Sequence, residues 1–337
     1  MEKRGTLTQF ALRAVKKYST HIIVVIGAIA FLTLVGKFES STLLSYASKI
    51  QVEFILLALF AFCIASGLRC LRFRVLNPSP GHGFEMLMLT ATFQIHRVII
   101  PAQAGEFSLP FLLNGRFGVP FNQGVMQVFL LRAIDLMFVL IVFLIGSQFY
   151  IGEKSVLSSW ISFAAVAGLL IAWLLFQMKK VSTYLMWLSQ RLAKRFKKRS
   201  FRKLSRAFGG LRRYVHGLSN RVFLKIGLLS LLIGGSAFLN FFSLVHGLGL
   251  PISIPEALFG FGLVNLASAI PIKLFSGIGM REVGVATFFG ILGLDTEFII
   301  FFVVTFSFAS FLFPFVFGGG VWVLCRIKAL ATGHHFN

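Results

Sequence analysis

The sequence predicts an all-α polytopic membrane protein, with about six full spans and two re-entrant helical hairpins arranged as an inverted repeat. Three observations carry that expectation. Of 337 residues, 57% are hydrophobic and only 13% charged, with a mean hydropathy of +0.85. A soluble core of this size would need far more polar surface. The apolar residues fall in runs of spanning length parted by short polar turns. Two apolar stretches are broken internally by Pro, Gly and charge, at residues 101–106 (PAQAGE) and 271–282 (PIKLFSGIGMRE).

Charge sets the topology. Thirty-three Lys and Arg against 11 acids give a net charge of +22. In a membrane protein that excess marks cytoplasmic loops facing anionic lipid. A nucleic-acid partner is not expected, because no soluble basic stretch is long enough to form a domain. Cys63, Cys70 and Cys325 lie inside or at the ends of apolar runs, form no CxxC, and read as reduced packing residues.

Taken in order, residues 1–20 carry five Lys or Arg ahead of a first apolar run, 22–35. Residues 28–30 resemble a cleavage site, but a retained span with a cytoplasmic N-terminus suits the repeat described below. The second run, 54–71, ends at Arg69, Arg72 and Arg74, read as charges that return the chain to the cytoplasm. After a Pro/Gly break come the runs 84–100 and 107–113 on either side of PAQAGE, then spans at 121–147 and 160–176. Residues 178–221 hold 14 Lys or Arg and no acid. They are expected to form a basic cytoplasmic segment, either a solvated topology signal or an amphipathic helix with Leu185, Leu188, Leu192 and Phe196 on one face against the leaflet. A span over 222–245, a second broken pair over 257–292 and a last span to Cys325 complete a single membrane domain, 1–337.

The charge rule decides the topology of the broken pairs. Were 84–100 a full span and 101–120 an external loop, the segment with 14 cations would lie outside the cell. A hairpin that enters from the cytoplasm and returns there removes the conflict, and 107–113 is short for a span. The same reasoning makes 255–293 a hairpin entering from the opposite side. Span, span, hairpin, span then occupies 1–150, and the same order fills 151–337. Glu85 precedes Pro101 by 16 residues and Glu256 precedes Pro271 by 15. Opposed halves of this kind are the usual plan of alternating-access transporters.

At each tip, proline ends the entering half-helix and glycine turns the backbone, at Gly105 and at Gly277 and Gly279. The returning half-helices begin near Glu106 and Glu282, and their free N–H groups suit an anion; the two carboxylates could instead cap those helices. Arg132 and Asp135 share a helix face in the middle of a span, where a charge costs at least ~2.5 kcal/mol and needs a partner or a cavity. Arg132 can pair with Asp135 or with Glu106. Arg97, Lys273 and Arg281 add cations near the tips, so cations outnumber acids and an anionic ligand is favoured over a self-neutralising network. Gln94, His96, Asn240, Asn265 and Ser268 are expected along the same cavity or as interhelical hydrogen-bonders.

The order Arg97-x3-Pro101-x3-Gly105-Glu106, Arg132-x2-Asp135, Gly277-Ile278-Gly279-x-Arg281-Glu282 resembles the flippase-like transmembrane region of the lysylphosphatidylglycerol synthases, over nearly the whole chain. The resemblance implies a multi-pass inner-membrane protein that translocates lipids or lipid-linked glycans, or supports those pathways. Two departures bear on the substrate. Gln103 stands where the family often has Arg or Lys, and residues 272–276 interrupt what is commonly a glycine run after proline. The chain ends at Asn337 without room for a soluble aminoacyl-transfer domain, so lysyl transfer is not expected.

The expected function is therefore translocation of an anionic or polyprenyl-phosphate-linked lipid through a polar midplane site, with both termini cytoplasmic. Its substrate-binding residues would be Arg97, Gly105, Glu106, Arg132, Asp135, Lys273, Gly277, Gly279, Arg281 and Glu282. The alternatives are a membrane-embedded lipid or glycan transferase and a small-solute ion-coupled permease. An enzyme is not expected: nothing resembles DDxxD, HExxH or GxGD, and no Ser/His/Asp set is evident. No cofactor or metal is expected. Membrane lipids are the expected partners, and a homodimer or proteins of lipid or glycan synthesis are compatible with the sequence.

Overall fold

The computed structural model describes Tyr46 and residues 48–78, 83–100, 104–151, 209–210, 212–269 and 280–332, with short pieces of 183–191. Among the described residues every regular element is helical. The helices are α1 (Val52–Leu76), α2 (Gly83–Ile99), a 3-10 turn (Ala104–Phe107), α3 (Ser108–Phe117), α4 (Phe121–Ile151), α5 (Asn220–Gly247), α6 (Ile254–Ala269), α7 (Met280–Ile291) and α8 (Thr296–Thr332). Four of these, α1, α4, α5 and α8, are long and apolar enough to cross a membrane. The expected spans at 22–35 and 160–176, and most of the basic segment 178–221, lie outside the described residues.

The helix ends follow local chemistry. Ser219 caps α5 by accepting from the Val222 N–H at 3.3 Å. A reciprocal capping box starts α6, with Glu256 accepting from the Ser253 N–H at 2.7 Å and Ser253 Oγ accepting from the Glu256 N–H at 3.5 Å. Helix α2 ends at Ile99, and Ile100 is already off the helix just ahead of Pro101 in the sequence, a residue that cannot continue one. The returning arms end alike. Gly118 after α3 and Gly293 after α7 both take left-handed backbone, at φ 63° and 75°.

Helices α1 and α5 run antiparallel, fixed by Gln51 N–H donating to Gly247 O at 2.8 Å and Asn240 Nδ2 to Ala58 O at 2.7 Å. The two short helix pairs open at opposite ends of this pair. Phe117 and Val119, which close the first, belong to the apolar cluster that holds Leu76 at the end of α1 and Leu218 and Val222 at the start of α5. Leu292 and Leu294, which close the second, belong to the apolar cluster that holds Ile50 ahead of α1 and Leu248 and Leu250 after α5. The first end is locked by a reciprocal amide pair, with Asn77 Nδ2 donating to Gln127 Oε1 at 3.0 Å and Gln127 Nε2 to Asn77 Oδ1 at 2.8 Å.

The packing repeats itself. Exchanging α1 with α5, α2 with α6, α3 with α7 and α4 with α8 maps the helix contacts onto one another: α4 on α6 becomes α8 on α2, and α3 on α4 becomes α7 on α8. Glycine permits a close approach of α4 and α6. A Cβ on Gly146 of α4 would strike the backbone of Leu258 and Phe259, and one on Gly262 of α6 would strike that of Phe143. Small residues of this kind let backbones meet where lipid gives no hydrophobic drive to pair helices. Outward faces remain apolar, as at Phe60, Phe149 and Leu224. All three cysteines are free.

Candidate functional site

The first tip is built on a backbone contact. Gly105 lies against the main chain of His96 and Arg97, where no Cβ fits. The 3-10 turn is thereby folded onto the end of α2, and Glu106 comes beside Arg97. Arg97 Nε donates to Glu106 Oε1 at 2.8 Å, and its Nη1 donates to Gln94 Oε1 at 3.1 Å. Gln94 in turn donates to Ser66 Oγ at 3.1 Å. From α4, Arg132 Nε donates to Glu106 Oε2 at 3.0 Å and its Nη2 pairs with Oε1. Eleven residues into α4, Arg132 stands about 16 Å from the helix start, well inside a helix long and apolar enough to cross a membrane. Glu106 is therefore a charge partner held by two guanidiniums.

Asp135 takes a different partner. One turn beyond Arg132, it accepts from Arg72 Nη2 at 3.1 Å and pairs with Nη1 as well. Arg72 is only 3% exposed and also donates to Ser230 Oγ on α5 at 2.8 Å. The pair ties α1, α4 and α5 together.

In the second half, α7 carries Arg281 and Glu282. Arg281 Nη2 donates to Ser310 Oγ at 2.7 Å, and its guanidinium lies 4.7 Å from the Phe306 ring centre. Glu282 is buried and accepts from Ser307 Oγ at 3.1 Å. Both serines come from α8.

These groups meet in one cavity of about 320 Å³. Arg69, Arg97, Arg132 and Arg281 line it with Glu106 and Glu282, beside Asn240, Asn265, Ser268, Ser307 and Ser310. Phenylalanines 62, 241, 261, 311 and 313 form its apolar wall. A smaller cavity of about 140 Å³ adjoins it, sharing Arg69, Arg97, Glu106 and Arg132 and adding Arg72, Asp135 and Ser230. Four guanidiniums against two carboxylates leave the larger cavity positive, and its apolar wall suits hydrocarbon. Such charges at depth are tolerated only against partners or water.

Of the residues expected at the site, Arg97, Glu106, Arg132, Arg281 and Glu282 line the larger cavity. Asp135 lines the smaller one, and Gly105 backs Glu106 without lining either. Lys273, Gly277 and Gly279 lie outside the described residues. Gln94, Asn240, Asn265 and Ser268 line the cavity as expected, whereas His96 does not. Four residues were missed. Arg69 and Arg72 read as topology charges because they close an apolar run, yet both turn inward; their spacing of three matches that of Arg132 and Asp135 and is the signal that separates them from Arg74. Ser307 and Ser310 repeat that spacing on α8, without charge to mark it.

Searches of curated proteins and of solved structures return no match. The family model described as "Lysylphosphatidylglycerol synthase TM region" matches residues 20–318. The chain is a multi-pass membrane protein belonging to the lysylphosphatidylglycerol synthase transmembrane-region family.

Proposed function

We propose that this protein is a lipid translocator, without catalytic chemistry of its own, that moves an anionic or polyprenyl-phosphate-linked lipid between leaflets of the inner membrane. The observation that carries the reading is the larger cavity, which both helix pairs line. It joins cations from the first tip and from the start of α7 to an apolar wall. A headgroup would sit among Arg97, Arg132 and Arg281 while its tails stay with the phenylalanines and the bilayer. The exchange symmetry of the helix contacts, with the two hairpins opening at opposite ends, supports an inverted repeat. Rocking of one half against the other would then expose the site to each leaflet in turn. The reading keeps both termini cytoplasmic and sets the protein in a lipid or glycan pathway.

Reconstitution into vesicles with labelled lipids tests this. Anionic lipid should change leaflet faster than in empty vesicles, and Arg132→Ala should abolish the acceleration while the protein still inserts. Flipping no faster than in empty vesicles, across several anionic lipids, overturns the reading. Full activity of Arg132→Ala would make the charged face structural.

A further inference from the structure

The charges around Arg69 do not balance. Arg69 lies on the wall common to both cavities. Its neighbour Arg72 is neutralised by Asp135, while Arg97 and Arg132 share the one carboxylate of Glu106. Among the described residues no carboxylate forms an ion pair with Arg69, and its buried Nη1 has no hydrogen-bond partner. In the second half Glu282 offsets its neighbour Arg281. Among the described residues lining the two cavities, two positive charges are therefore left over, and both belong to the first half. A singly charged phosphodiester would compensate only one of them.

We propose that Arg69, with Arg97 and Arg132, forms a site for a doubly charged phosphoryl group, a phosphomonoester or a diphosphate. Three planar guanidiniums can each present paired N–H donors to separate phosphoryl oxygens, which an ammonium or an amide cannot do. Arg69 is the member whose donors are not already tied to a carboxylate. Its role is to select the second negative charge, and the Glu106 pair already described fixes its two companions. The proposal rests on the anionic-lipid reading above and narrows it to a headgroup class. The same dianion could arrive on a lipid or as a free solute.

The test uses the full chain in phosphatidylcholine nanodiscs, with bound species counted by native mass spectrometry. Phosphatidic acid, phosphatidylglycerol and inorganic pyrophosphate are supplied at equal concentration. Phosphatidic acid should exceed phosphatidylglycerol on the order of tenfold in occupancy, the scale of one charge-assisted hydrogen bond. Arg69→Gln should remove that preference while phosphatidylglycerol still binds, and Arg69→Lys should restore part of it. Pyrophosphate outcompeting phosphatidic acid would keep the dianion site and assign it to a solute, against the lipid reading. Equal occupancy by the two lipids in the unaltered protein overturns the dianion proposal and leaves the lipid reading standing. That comparison needs no variant, so it decides even if Arg69→Gln fails to fold. An unchanged preference in a folded Arg69→Gln also overturns the proposal.

Discussion

The two helix pairs share a frame and differ in charge. In the first, the carboxylate at the start of the returning arm, Glu106, meets Arg132 on the following span, and Asp135 stands three residues further on. In the second, Glu282 meets Ser307 on the following span, and Ser310 stands three residues further on. In the second half, hydroxyls of the span thus stand where the first half has charged groups. The guanidiniums of the first half outnumber its carboxylates, and burying one, as at Arg72, is costly. Charge that the frame does not need is charge available for a ligand.

The largest effect should come from Asp135→Asn. It strands Arg72, which is almost wholly buried and has one other side-chain acceptor, Ser230. Removing one partner of a buried pair costs about 3–5 kcal/mol. Unfolding of the purified protein measures it, with Arg72→Met/Asp135→Leu expected to recover much of the loss. A loss no greater than that of Ser310→Ala would erase the contrast between the halves.

Glu106→Gln comes next. Two guanidiniums would lose their shared carboxylate, but the Arg97 and Arg132 side chains are 32% and 42% exposed, so solvent offsets part of the cost. About 1–3 kcal/mol of stability should go, together with most lipid movement in vesicles. Glu282→Gln should leave more transport, because its α8 partner is a hydroxyl. Equal transport losses would argue that the two tips do the same work.

Gly118→Ala and Gly293→Ala probe the shared frame itself. Each forces a Cβ into left-handed backbone, at about 1–2 kcal/mol, and neither glycine has a neighbour that a Cβ would strike. The two penalties should therefore agree. A large difference in unfolding midpoint would mean that the arms do not end equivalently.

Sequence patterns reveal the frame better than the site. The helices around Pro101 and Pro271, the returning starts near Glu106 and Glu282, and four of the spans follow from apolar run length and breaker residues. Those signals are local, so one chain carries them openly. The partner of Asp135 is not local. Arg132 is three residues away and shares its face, yet Arg72, 63 residues back, takes the carboxylate, because its long side chain reaches over from α1 along α5, which packs on both α1 and α4. Arg69 and Arg72 were hidden for a related reason: a cation near the end of an apolar run looks the same whether it turns outward to headgroups or inward to a cavity. Ser307 and Ser310 gave less still, since serine is common in spanning helices and bonds its own backbone there.

Ser310→Ala should have the smallest effect and is the most informative about what the second half supplies. It removes the hydroxyl that accepts from Arg281 but leaves the guanidinium over Phe306 and beside Glu282, still in the cavity. The cost should be about 0.5–1.5 kcal/mol, that of one ordinary hydrogen bond, with transport reduced only slightly. Ser310→Asp should do more damage to transport than Ser310→Ala while stabilising the fold. The new carboxylate would occupy Arg281, give the second half the acid that the first half has in Asp135, and remove one positive charge from the cavity. If Ser310→Asp flips anionic lipid as fast as the unaltered protein, the positive balance of the cavity is not what recruits the headgroup. The difference in charge between the halves would then have to be explained by assembly of the first half alone.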